Sequence, residues 1–309
     1  MLTSTAVLAQ SQVYFTKEIT PESLVKIYKA LGVEATGRVA VKISTGEGGN
    51  THYLKPTLIR QLVEEVNGTI VECCTAYPGT RMDPKKHWET IHEHGFDSIF
   101  AVDLMDEFGD LLIPVQDHKH LRYNIVGNHL PYYDFMINLA HFKGHAMGGF
   151  GGVIKNASIG VASTAGKCYI HSAGKSSDPK TAWNPGILAA GETQDLFLES
   201  MAAAAQAVHN YFSGRVIYIN VMNNMSVDCD CDGHPAKPEL QDMGIMASLD
   251  PVAVDQACLD MVFNYQGRPG DDNKPLIERI NRQHGTYITD YAEQIGLGSK
   301  KYELISIDR

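Results

Sequence analysis

Between residues 38 and 104 the chain repeats one cadence: apolar strand, polar turn, amphipathic helix, apolar strand. Arg38–Ile43 (RVAVKI) reads as a strand, and the turn STGEGGN follows it. A helix runs from about Pro56 to Val66, Asn67-Gly68 turns the chain, and Thr69–Cys73 is the next strand. Asp83-Pro84 caps a helix to about His94, and Ile99–Leu104 is a third strand. Two strands joined through a helix need a crossover, and crossovers join parallel strands. The fold class that follows is α/β, a mostly parallel or mixed sheet with helices on both faces, built from βαβ units.

The remainder fits the same frame. A strand over Gln12–Thr16 precedes a helix opened by Thr20-Pro21, with threonine as cap and proline in the first turn. Leu111–Val115 and His120–Val126 read as a hairpin or edge pair, and Tyr133–Ala140 as a buried strand. Ser158–Pro185 is small and polar, which predicts an irregular lid or insertion at about 162–192. Asp195–Tyr211 is an alanine-rich helix, and Arg215–Val221 (RVIYINV) is the strongest strand. A strand at Ile245–Leu249 leads to a helix opened by Asp250-Pro251 and running to about Tyr265. Helices near Pro275–Gln283 and Thr286–Ile295 and a strand at Lys301–Ile305 close the chain. With no internal repeat and no low-complexity linker, residues 1–309 read as a single α/β domain.

Charge narrows the partners. Lys and Arg number 26 against 36 Asp and Glu, a net charge of −10. That argues against a nucleic-acid surface, which needs a basic patch. No run approaches the roughly 18 apolar residues of a membrane span. The start, MLTSTAVLAQSQ, has no basic n-region, so a full secretory signal is not expected. The six cysteines (73, 74, 168, 229, 231 and 258) are too sparse for a disulfide scaffold. Reduced thiols and a cytoplasmic location are the expectation.

Two stretches concentrate chemistry. His141–Asn156 (HFKGHAMGGFGGVIKN) holds two histidines, two lysines and five glycines in sixteen residues. Glycines at that density let backbone approach a ligand and expose amides that cradle an anion. Lys143, Lys155, Asn156, Gly148, Gly149, Gly151 and Gly152 are therefore candidate contacts for a substrate carboxylate or phosphate. His141 and His145 would share a face if the segment were helical, as ligands or general acid/base. The spacing is neither a Walker motif nor a dinucleotide fingerprint.

The second stretch is Asp228–Glu239 (DCDCDGHPAKPE). It matches a calcium loop literally, with Asp228, Asp230 and Asp232 as ligands, Gly233 at the bend and Glu239 closing. A strand enters it where a helix should, and Pro235 and Pro238 stiffen its exit. The alternative uses sulfur: Cys229 and Cys231 alternate, so extended backbone puts them on one side. With His234, and Cys73 as a third sulfur, they form a soft set for zinc, copper(I), iron or an iron–sulfur cluster. The plain alternative is a solvated acidic loop with two incidental cysteines.

Weaker candidates lie after the first strands. Glu47 in STGEGG and Arg81 beyond AYPGT sit at the sheet end where open α/β folds place ligands, as do Asp103 and Asp106. Lys167 and His171 could close over a site from the irregular segment. His87, His92 and His94 read as a solvated helix face.

The segments STGEGGN, ECCTAYPG, HFKGHAMGGFGGVIKN, SIGVAS, VMNNMSVDCDCD and MASLDPVAVDQACLD together resemble the domain-of-unknown-function family 362. Its members include proteins described as uncharacterised Fe–S centre proteins, and the resemblance runs from about Val13 to Ile305. It implies an iron–sulfur centre, which many relatives build on a ferredoxin-like Cys-x-x-Cys-x-x-Cys segment. This sequence has no such segment. What carries over is Cys229-x-Cys231 and the glycine-rich His/Lys stretch.

Three functions follow as expectations. The first is a metal-dependent enzyme, possibly redox, whose two dense loops leave one sheet edge and form one cleft for a small anionic substrate. The second is a non-redox calcium or magnesium enzyme acting on a carboxylate or phosphate. The third is a metal-cofactor carrier or electron-transfer protein with a redox partner.

Overall fold

The computed structural model describes residues 10–188 and 193–308. The chain begins with β1 (Ser11–Thr16), α1 (Pro21–Ala30) and β2 (Val39–Lys42). It continues through α2 (Pro56–Glu65), β3 (Gly68–Glu72), α3 (Pro84–Glu93) and β4 (Val102–Leu104). A hairpin of β5 (Asp110–Pro114) and β6 (Tyr123–Gly127) precedes β7 (Phe135–His141). A second hairpin, β8 (Lys143–His145) and β9 (Gly149–Gly151), runs into α4 (Val153–Ser158). Then come α5 (Thr164–His171), α6 (Gln194–Tyr211), β10 (Val216–Met222) and β11 (Gly244–Ser248). The chain closes with α7 (Pro251–Phe263), α8 (Lys274–Arg282), α9 (Tyr287–Gln294) and β12 (Tyr302–Ser306).

Eight strands form one sheet in the order β12-β1-β11-β10-β7-β2-β3-β4. The run from β10 to β4 is parallel throughout. β11 is reversed against both of its neighbours, so the sheet is mixed. The α/β expectation holds, and the βαβ units over 38–104 stand where the sequence puts them.

Strand alternation assigns side chains to the two faces. Phe135, Ile137 and Leu139 of β7 join Ile217, Ile219 and Val221 of β10 in the core beneath α1 and α2. Met136 and Ala140, with Val216 and Tyr218, enter the larger core beneath α4, α6 and α7. Asn138 and Asn220 share that second face by alternation, and Lys42 of β2 stands opposite Asn138. Three adjacent strands thus each carry one fully buried polar side chain among apolar ones.

Helix α4 is docked onto this polar row. The Asp255 carboxylate of α7 accepts the Val153 and Ile154 amides at 2.9 and 3.0 Å and the Asn220 side-chain amide at 2.7 Å. Asn138 donates to the Val153 carbonyl at 2.9 Å. Burial raises the Asp255 carboxyl to about 6, against three bonds that lower it.

One expectation is corrected. Residues 164–171 are not part of an irregular lid: they form α5, capped by Ser163 and buried from Gly166 to His171. Small polar residues misled because Ser163 and Thr164 are helix-opening residues, not loop filler. Residues 189–192 of the expected lid lie outside the described residues.

Candidate functional site

β7 and β10 are adjacent and parallel, so both deliver their following loops to one edge of the sheet. The two dense stretches therefore meet. The Phe142 amide donates to Val221 at 2.9 Å and the Gly144 amide to Ser226 at 2.8 Å. Gly144 is required by this approach, since a Cβ there would stand 2.2 Å from the Val227 carbonyl oxygen. Asp230 reaches across to His141 Nδ1 at 2.7 Å and Lys143 Nζ at 3.0 Å. Burial works against its charge, but His141 and Lys143 hold the Asp230 carboxyl well below the usual range.

Beside this clamp, His145, Cys229 and Cys231 bring their ligand atoms within 4.8 Å of one another. The Cys231 thiol, donating to Cys229, holds the latter well below the ordinary thiol range, with Lys155 and Lys143 acting in the same direction. Cys231 is correspondingly pushed well up. Lys155 Nζ stands 3.8 Å from the Cys229 sulfur. His145 Nδ1 accepts the Gly148 amide at 2.8 Å and the Met147 amide at 3.2 Å. Burial, then Lys155, keeps its pKa well below the usual value, so the neutral ring carries its proton on Nε2. Ligation through Nδ1 requires the Met147-Gly148 turn to release that nitrogen, and Gly149 (φ +81°) sits at the bend.

The sulfurs form one wall of a cavity with about 60 Å³ of room. Lys42, Arg81, Lys143, Lys155 and Lys167 line it, together with Glu72, Tyr77, Gly151, Gly152 and Asn156. Arg81 lies between Glu72 at 2.9 Å and Glu47 at 3.4 Å. Lys143 is neutralised by Asp230. Among the described residues Lys42, Lys155 and Lys167 make no ion pair with a carboxylate, so a chain of net charge −10 encloses a basic cavity.

The fate of the sequence candidates is specific. His141, Lys143, Gly151, Gly152, Lys155, Asn156, Arg81, Cys229, Cys231 and Cys73 all line the cavity. His141 and His145 do not share a helix: they end β7 and β8. Both nitrogens of His141 face oxygen acceptors, Asp230 and the Asn223 carbonyl, so it serves as part of the clamp. Gly148 and Gly149 shape the hairpin turn and are not among the cavity residues. Glu47 holds Arg81 and the Thr80 amide, a second-hand role in anion binding.

The carboxylates of the calcium reading have separate partners. Asp230 is spent on His141 and Lys143, Asp228 pairs with Arg279 at 3.1 Å, and Asp232 accepts its own loop's His234 amide at 2.8 Å. The three carboxylates diverge because a strand, not a helix, enters the loop. His234 is exposed and stands outside the ligand group, whose histidine is His145. Cys73 lines the cavity but its thiol donates to the Val161 carbonyl at 3.3 Å, and burial raises it. His87 is fully buried beside Glu72 at 3.4 Å, and His94 stacks on Tyr53, so only His92 of that helix stretch is solvated.

Sequence reasoning missed Lys42, Asn138, Asn220, Glu72 and Tyr77. The signal was present for the first three: a lone polar residue inside RVAVKI, FMINLAH and VIYINVM.

Among the described residues no helix is long and apolar enough to cross a membrane. No curated protein matches the chain by sequence. The structure is similar to that of the lactate racemase apoprotein from Thermoanaerobacterium thermosaccharolyticum, with 15% identity over 69% of this chain and 50% of that one (TM-score 0.40). It is also similar to a crystal structure of a protein from Thermotoga maritima, with 12% identity over 90% of this chain and 59% of that one (TM-score 0.45). The chain thus spans between half and three-fifths of the length of these two structures. A family model described as a domain of unknown function, DUF362, matches residues 39–260, from β2 into α7, and its description names no iron–sulfur centre. The match covers most of the chain, including both site loops, and the chain belongs to the DUF362 family.

Proposed function

We propose that this protein is a metal-dependent enzyme acting on a small anionic substrate, with the metal on Cys229, Cys231 and His145. One observation carries the reading: three soft ligand atoms converge within 4.8 Å, and the two sulfurs among them line a cavity that also holds five basic side chains. Two sulfurs and one imidazole suit zinc, copper(I) or iron and disfavour calcium, which takes oxygen. Three protein ligands with a fourth position open is the pattern of catalytic rather than structural zinc. Two thiolates balance a divalent ion, so Lys155, Lys167 and Lys42 leave the loaded cavity positive. An anion entering the open position is then favoured on charge as well as by ligation. The small room supports a substrate of a few heavy atoms and not a nucleotide. Iron or copper would add redox chemistry, and a redox partner protein belongs to that branch of the proposal.

The test is metal analysis of anaerobically purified protein, followed by cobalt(II) titration. One equivalent of bound metal and a thiolate-to-cobalt charge-transfer band are expected. Absence of both rejects the proposal.

A second reading rests on the Lys155–Cys229 contact and the low Cys229 thiol: a thiolate nucleophile needing no metal. Alkylation by iodoacetamide separates the two. A nucleophile reacts fast at Cys229 regardless of zinc, whereas a ligand is protected by zinc.

A further inference from the structure

We propose that Lys42 is a reactive amine that condenses with a carbonyl group of the substrate. The proposal rests on the cavity being the substrate site, not on the metal. Lys42 is the single charged residue of β2, turned by strand alternation onto the face beneath α4. It is 1% exposed and lines the cavity.

Among the described residues its ammonium has no carboxylate partner. Lys42 Nζ donates to the Ile43 carbonyl and to Asn156 Oδ1 at 3.2 Å, both neutral acceptors. Asn156 is fixed in that orientation, because its amide nitrogen donates to the Lys42 carbonyl at 2.9 Å and to Asn138 Oδ1 at 2.7 Å. The charged and titratable groups facing Lys42 are Glu72 at the end of β3, Cys73 just beyond it, Lys167 from α5, and Arg81. Glu72, the only carboxylate among them, is spent on Arg81, the Thr45 amide and His87. Gly160 leaves room beside the amine, since a Cβ there would stand 2.9 Å from Nζ.

Burial lowers the Lys42 amine to about 8, with Glu72 opposing and Lys167 and Arg81 assisting. A buried lysine beside another cation is the setting in which an amine becomes a nucleophile near neutral pH. At pH 8 it holds roughly a hundredfold more neutral amine than an ordinary lysine. The neutral nitrogen attacks the carbonyl carbon and the C–N bond forms. The carbonyl π pair moves to oxygen, which takes up both amine protons and leaves as water, giving the imine. The neighbouring Lys167 ammonium is placed to hold the anionic end of the same molecule. The substrate class is therefore a small carbonyl-bearing anion such as a 2-oxo acid.

The experiment is borohydride trapping on the full-length protein, zinc-loaded and zinc-stripped, with pyruvate and with glyoxylate, read by peptide mapping. One reduced adduct on Lys42 is expected in both metal states, half-maximal near pH 8. Asn156→Asp, which gives the amine a carboxylate partner, should move that midpoint upward. Lys42→Arg should abolish the adduct while leaving zinc binding intact. Adducts spread over surface lysines, or placed on Lys155 or Lys167, or no adduct with either probe, overturn the proposal. The wild-type map decides this even if Lys42→Arg fails to fold. Trapping at Lys42 in a protein that binds no metal would defeat only the metal centre, and metal binding without trapping would defeat only this inference.

Discussion

His141 Nδ1 and Asp230 Oδ1 meet at 2.7 Å, joining the loops that leave two neighbouring parallel strands. Lys143 completes the clamp, and all three groups are buried. Truncating Asp230 leaves two buried donors without their anion. Asp230→Ala should cost about 3–5 kcal/mol in urea denaturation. It should also weaken zinc binding, because Cys229 and Cys231 flank the truncated residue. Wild-type stability in this variant would mean that the clamp holds nothing together.

The ligand assignment separates residues within one loop. Cys229→Ser and Cys231→Ser should each weaken zinc by more than about 100-fold, since even outer contacts cost 10–100-fold. Asp232→Ala and His234→Ala should bind zinc as wild type does, because both side chains are exposed and outside the ligand group. Competitive chelator titration of the four variants gives the comparison. Equal losses at Asp232 would restore the carboxylate reading.

Acid should destabilise the fold through its buried histidines. Burial lowers His171 to about 4, and the ring lies between Phe197 and Trp183. The unfolded chain takes up this proton near 6.5 while the folded chain resists it, so stability is complete above that pH. It falls as pH drops from about 6.5 toward 4, by about 3 kcal/mol for this group. His145 acts with the same sign. Urea denaturation at pH 7, 5.5 and 4.5 should show a shallower fall for His171→Phe than for wild type. Superimposed profiles would show that His171 does not carry the effect.

Gly144→Ala tests the contact of the two loops directly. The added carbon meets Val227 backbone, which no rotamer change can relieve. A loss of about 1–3 kcal/mol is expected from overpacking, with weaker zinc binding because the sulfur loop is displaced from His145. Thermal melting with and without zinc measures both. An unchanged melting temperature would show that the loops separate without cost.

The parallel core was legible because its strands are short apolar runs bounded by turn residues, and because Pro21, Pro56, Pro84 and Pro251 each stand in a first helical turn. The two site loops were legible as composition, and their meeting followed from placing both after central strands. Which histidine joins the sulfurs was not legible. His234 is five residues from Cys229 in sequence, but His145 is the one the hairpin brings near. Sequence proximity says nothing of register across a turn. The aspartates failed for a related reason: a calcium loop is defined by its flanking helices as much as by its carboxylates. Lys42 was not legible because RVAVKI alone does not say what its lysine meets, and only the strand order places β2 between β7 and β3.

The reversal of β11 has an evolutionary consequence. Because β11 runs back along β10, residues 223–243 leave and re-enter the sheet at the same edge, so the segment bearing Cys229 and Cys231 crosses neither face. A parallel crossover in that place would need a dozen or more residues, since it must span the sheet. This connection is free of that limit. Doubling it would cost only about 0.6 kcal/mol in closure entropy. Residues added at its exposed positions, such as Ala236 and Lys237, would therefore leave the strand order beneath unchanged.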